Sequence, residues 1–67
     1  MALTLKAARV NKQMKQEDAA RALGVTSETL GNWEKGKTYP NVPQIKKIEA
    51  LYDVSYGDII FCPETSV

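Results

Sequence analysis

Residues 16–36 read QEDAARALGVTSETLGNWEKG, and no other stretch limits the fold as tightly. Ala19, Ala20 and Leu23 recur at the spacing of one buried helix face, and Leu30 and Trp33 lie three apart on a second. Gly24 supplies the left-handed residue that ends the first of these helices, Val25 tucks inward, and Thr26 is a good N-cap for the next. The small alanines stand where the two helices would cross. The spacing predicts helices over 16–23 and 27–35 joined by a tight turn, with Gly36 closing the second. Ser27, Glu28, Gly31, Asn32 and Lys35 fall on its outer side.

Two short amphipathic helices with a glycine turn are the sequence form of a helix-turn-helix, here about 16–35. In so short a chain the second helix usually serves to enter the DNA major groove. A small three-helix core would give the same pattern.

The flanking sequence supplies the rest of the core. A first helix runs from about Thr4 to Lys12, with Leu5, Ala8 and the Lys12 stem on one face, and Met14 plugs the break after it. Asn41, Pro43 and Gln44 mark a fourth helix start: Asn41 caps, Pro43 sits where its missing N–H is harmless, and Gln44 reaches back as a capping-box partner. Ile45, Ile48 and Leu51 or Tyr52 make its buried stripe. Ser55 with Asp58 resembles another box, opening a last short helix that carries Ile59, Ile60 and Phe61. Pro63 stops it, and 63–67 reads as a frayed tail. No strand is expected.

Sixty-seven residues read as one domain, 1–67, with a modest core, because at this size only about 60% of the unfolded surface can be buried. The single cysteine, Cys62, indicates a reducing compartment. It reads as an apolar filler beside Phe61, since the chain has no histidine to activate it. No apolar run approaches the roughly 20 residues of a membrane span, and the N-terminus lacks a signal-peptide stretch. The expectation is a cytoplasmic protein without a membrane role. With no histidine, no phosphate-cradling glycine loop and one cysteine, no catalytic centre, metal site, cofactor or small-molecule ligand is expected.

Net charge is +1, but unevenly placed. All nine Lys and Arg lie in residues 1–48 with four acids, a balance of +5, whereas Glu49, Asp53, Asp58 and Glu64 give the remainder −4. Such a body can orient on a polyanion with its basic side inward, although uneven charge is also common on solvated surfaces.

Arg9 late in the first helix, Gln16 opening the second, Ala20, Gly24-Val25, Leu30, Glu34-Lys35-Gly36, Pro40 and V-S-Y-G-D-I at 54–59 occur together in this order and spacing. From about Leu5 to Ile60 the chain thereby resembles the lambda-type phage repressor and Cro family, also called XRE-like. The resemblance implies an all-α, compact five-helix domain whose third helix is the recognition helix. It also implies a homodimer on a near-palindromic operator in double-stranded DNA, as in a phage- or mobile-element-type repressor. It further implies an ion pair between Arg9 and Glu34 that ties the first helix to the end of the recognition helix, for which the planar guanidinium fork is suited.

Base readout is assigned by the resemblance to Ser27, Glu28 and Asn32, with Thr29 or Thr26 at the margin. Asn can take adenine N6 and N7 together, and Glu can accept from cytosine N4. A second reading of Glu28 is support of the helix dipole in the first turn. Phosphate contact falls to Lys35 and Lys37 beyond the recognition helix, Gln16 at a helix start, and Thr26; Lys12, Lys46 and Lys47 rank behind them. Trp33 faces the core and reads as its largest anchor rather than a base-stacking group. Tyr39 packs on that anchor or touches a phosphate.

Three positions depart from the family pattern. Lys15 replaces the usual Ser or Thr and cannot accept a hydrogen bond as a cap. Gly31 costs roughly 1 kcal/mol against Ala inside a helix; it allows close approach to DNA or is a tolerated weak position. Glu49 stands where a small residue is common, with no physical account from sequence.

Ile59, Ile60 and Phe61 on the last helix, with Tyr56 or Cys62 beside them, are expected to supply the two-fold contact; the other reading is a flap closing the monomer core. The competing function is an antitoxin-like or regulatory protein-interaction module. Salt dependence separates the two, since phosphate contacts release counterions and apolar ones do not.

Overall fold

The computed structural model describes residues 2–61. The elements in order are β1 (Leu3–Thr4), α1 (Leu5–Asn11), α2 (Gln16–Leu23), α3 (Ser27–Lys35), α4 (Val42–Tyr52), a 3-10 turn (Tyr56–Asp58) and β2 (Ile59–Ile60). The family-like expectation of five helices is therefore corrected: four α-helices are present among the described residues.

Three of the four α-helices open on a side-chain cap. The Thr4 hydroxyl accepts from Ala7 N at 3.0 Å and opens α1. Thr26 accepts from Thr29 N at 3.1 Å and opens α3. Asn41 and Gln44 form a reciprocal capping box at 2.8 and 2.9 Å. Lys15 makes no side-chain cap, as its chemistry requires. Helices α2 and α3 both end on left-handed glycines, Gly24 at φ 78° and Gly36 at φ 81°. There the chain folds back, with Val25 N bonding Ala20 O and Lys37 N bonding Asn32 O, each at 2.9 Å.

The core is one cluster: Leu5 and Ala8 from α1, Ala19, Ala20 and Leu23 from α2, Leu30 and Trp33 from α3, Ile48 and Tyr52 from α4, and Ile59. Met14, Val25, Leu51 and Phe61 pack against it half-buried. Lys12 is exposed, so its stem is not part of the α1 face; Arg9 is buried there instead.

The segment after α4 differs most from expectation. Instead of a helix, three residues make a 3-10 turn, and Ser55 makes no side-chain cap. Ile59 and Ile60 then pair in parallel with Leu3 and Thr4. The physical reason is that a helix this short cannot offset its nucleation cost. Gly57 weakens it further, and two β-branched isoleucines favour extended backbone where a partner strand lies within reach. The pairing joins the two ends of the described chain, and Ile59 seals the core from beneath.

Ile59, expected to contact a second copy, is 9% exposed and belongs to the core of the single chain. Ile60 remains 38% exposed, and Phe61 is half-buried against Tyr56, ring centroids 5.7 Å apart. The expectations for Cys62 and for the 63–67 tail lie outside the described residues.

Glu49 acquires a role that its sequence position did not reveal. Its Oε2 accepts from Tyr56 N at 2.7 Å, tying α4 to the 3-10 turn. A small residue there would leave the turn's N-terminal N–H without that acceptor.

Candidate nucleic-acid interface

Helix α3 has two chemically distinct sides. Leu30 and Trp33, 0% and 3% exposed, are driven into the core. The helical period then places Ser27, Glu28, Gly31, Asn32 and Lys35 on the other side. These five, with Gln16 from α2 and Lys37 from the following loop, line one open cleft of about 370 Å³. Six of the eight polar residues assigned to DNA contact from sequence therefore share a single surface. Glu28, Lys35 and Lys37 are exposed, whereas Asn32 and Gln16 are partly covered at its wall.

Thr26 and Thr29 are outside that cleft's lining. Their hydroxyls bond each other at 2.9 Å while Thr26 caps the helix, so both are engaged in starting α3. Tyr39, in the loop beyond, is 57% exposed.

Beneath the cleft lies a polar network that holds α1, α2 and α3 together. Arg9 Nε donates to Glu34 Oε2 at 2.8 Å, and its Nη2 donates to Oε1 at 3.4 Å. Arg9 Nη1 donates to the Met14 carbonyl at 2.9 Å, fastening the break between α1 and α2. Gln16 Nε2 donates to Glu34 Oε1 at 3.1 Å. The paired side chains are only 10% and 6% exposed. The Arg9–Glu34 pair was implied by family resemblance. The Gln16 and Met14 bonds were not foreseen, because they join residues whose proximity only the tertiary fold creates.

Tyr52 borders the same network. Its hydroxyl is buried and meets no hydrogen-bond partner among the described residues. Burial pushes its pKa up to about 12, the Glu34 charge adds to the rise, and Arg9 opposes it. The folded protein thus holds this proton more tightly than the unfolded chain does. The associated stability is fully present below pH 10 and is lost as pH rises from 10 towards 12, by about 2–3 kcal/mol. Urea denaturation at pH 9 and pH 11.5 should show this fall, and Tyr52→Phe should remove that share of it. Parallel decline in both proteins would rule Tyr52 out as its source.

The arrangement can present hydrogen-bonding groups and two lysine charges to a polyanionic groove, held on a helix whose opposite side is locked into the core. Among the described residues no group of three His, Cys, Asp or Glu side chains could hold a metal ion. No helix there is long and apolar enough to cross a membrane.

The fold and this site define a helix-turn-helix protein, and the helix-turn-helix family profile matches residues 5–59. The chain belongs to the XRE-type helix-turn-helix family, a family of DNA-binding regulators of transcription. Two curated relatives show where in that family its likeness lies. It is 29% identical over 59 residues to the cryptic phage CTXphi transcriptional repressor RstR of Vibrio cholerae, a match covering 88% of this chain and 53% of that protein. It is 33% identical over 52 residues to the HTH-type transcriptional activator BcrR of Enterococcus faecalis, covering 78% of this chain and 26% of that protein. The chain thus spans about half and about a quarter of these relatives. No solved structure matches it at a significant level.

Proposed function

We propose that this chain binds double-stranded DNA sequence-specifically, with α3 in the major groove, and regulates transcription as a phage-type repressor. The observation that carries the reading is the α3 cleft. One helix turns its tryptophan inward and its Ser27, Glu28, Asn32 and Lys35 face outward, with Lys37 beside it. Base edges reached by Asn32, Ser27 and Glu28 give selectivity. Lys35, Lys37 and Gln16 give phosphate affinity that carries no sequence information. One such helix reads about half a site. The chain acts as a homodimer on a near-palindromic operator, with α3 helices one DNA turn, about 34 Å, apart.

Selection from random duplex DNA followed by footprinting tests this, and a palindromic consensus is the expected result. Two substitutions separate the roles. Asn32→Ala should relax preference at one base position, with a loss of about 1–3 kcal/mol on the best site. Lys37→Ala should weaken all duplexes alike and lower the slope of log affinity against log salt by about one. Equal losses on every sequence for both variants would remove the base-reading role of Asn32.

A second reading is favoured by a separate surface. Val42 and Tyr56, 65% and 53% exposed, line an apolar groove with Ile45, Lys46 and Glu49. That groove suits a protein partner, and a module working through it alone would bind with little dependence on salt.

A further inference from the structure

We propose that Glu28 sets DNA specificity by repulsion, an inference that rests on the DNA-binding reading above and gives this residue's contribution a sign. Its carboxylate lowers affinity for every duplex except one that presents a cytosine amino group to it.

An acidic side chain is out of place on a surface that meets a polyanion, so its neighbours decide what it does there. Glu28 is exposed in the first turn of α3 and lines the cleft together with Lys35 and Lys37. A cation three or four residues further along the helix could pair with it. Those two positions hold Gly31, which has no side chain, and the uncharged Asn32. Lys35 comes seven residues on, about 10 Å along the helix axis. Among the described residues no ion pair or hydrogen bond engages the Glu28 carboxylate. Glu34 on the same helix differs, for Arg9 matches its charge at 2.8 Å. The cleft is therefore split by charge, with two lysines at and beyond the end of α3 and an unmatched carboxylate at its start.

A carboxylate accepts hydrogen bonds and donates none. In the major groove guanine offers only acceptors, and thymine an acceptor and a methyl group. Adenine presents its amino group beside the N7 acceptor, whereas cytosine presents its amino group alone. Cytosine is thus the base that answers Glu28. Any other leaves the charge desolvated against acceptors and phosphates, which is discrimination by penalty rather than by gain. Support of the helix dipole by Glu28 is present with or without DNA, so it cannot choose between duplexes.

Glu28→Gln removes the charge and keeps the shape. It should bind random duplex about threefold to tenfold more tightly in about 0.1 M salt, with the slope of log affinity against log salt steeper by up to about one. The ratio of selected-site to random-duplex affinity should fall about tenfold. Glu28→Asp keeps the charge but shortens the reach, so it should weaken the cytosine preference without the gain on random duplex. Selection from random duplexes should give the unsubstituted protein a cytosine at one position of each half-site. Selection with Glu28→Gln should lose that cytosine, adenine being the base that glutamine reads. Thermal melts of each variant report the dipole contribution separately. A lowered melting temperature in Glu28→Gln, with random-duplex affinity, salt slope and consensus unchanged, would overturn this proposal alone. Weaker binding of every duplex by Glu28→Gln would do so too. Absence of duplex binding by the unsubstituted protein would overturn it together with the DNA-binding reading.

Discussion

Arg9→Met should destabilise the protein by about 3–5 kcal/mol, measured by urea denaturation at neutral pH. Few other single changes should match it. Methionine keeps much of the apolar length of the arginine stem, so the loss comes chiefly from what remains behind. The Glu34 carboxylate, 6% exposed, would lose its counter-charge, and the Met14 carbonyl would lose the donor at 2.9 Å. A small domain commonly has only about 5–15 kcal/mol in all, so the variant would be largely unfolded at moderate temperature. Pairing Arg9→Met with Glu34→Leu should recover much of the loss, because the double change leaves no unmatched charge at that site. A cost below about 1 kcal/mol for Arg9→Met would mean that the pair behaves as a solvent-screened surface contact. The network under the cleft would then not be what holds α1 to α3.

Trp33→Ala should cost a similar about 3–5 kcal/mol, for a different reason. Its side chain is the largest in the α3 half of the core, 3% exposed among Leu30, Ala19, Ala20 and Leu23. Truncation removes that apolar area from the core and leaves a cavity which the short helices can only partly close. Trp33→Phe should retain much of the stability. The chain has one tryptophan, so its fluorescence reports on this site directly, with blue-shifted emission when folded and a red shift on denaturation. Loss of DNA affinity in Trp33→Ala should track the unfolded fraction, since Trp33 faces away from the cleft. Normal stability with lost DNA binding would instead place the indole at the DNA.

The centre of the fold was legible because its signals are local. The ends of α2 and α3 are written in Gly24, Thr26 and Gly36, and the start of α4 in Asn41 and Gln44; each acts within a few residues of itself. The core stripe of α3 follows from helical spacing, and with it the polar face of the candidate site. What was not legible depends on chain segments meeting. Leu3-Thr4 and Ile59-Ile60 are each too short to signal a strand, and they become one only as a pair. Taken alone, the Ile59–Phe61 run therefore resembles a helix with an apolar surface to cover, whereas Ile59 closes the core. Glu49 has no local signal for its role, because its carboxylate accepts from the Tyr56 N–H seven residues away. The sequence marks Gln16 as a candidate contact at a helix start, but its bond to Glu34, 18 residues away, depends on the packed helices. Arg9 illustrates the boundary: periodicity favoured Lys12 on the inner face, and only family resemblance pointed to Arg9 as half of a pair.

The most direct test is a titration of the labelled protein with its selected duplex, following backbone and side-chain amide resonances. The prediction is that changes concentrate at Gln16, at Ser27 to Lys35 and at Lys37, with the Asn32 side chain among the largest. Changes concentrated instead along Val42, Ile45 and Tyr56, with the outward side of α3 undisturbed, would contradict it.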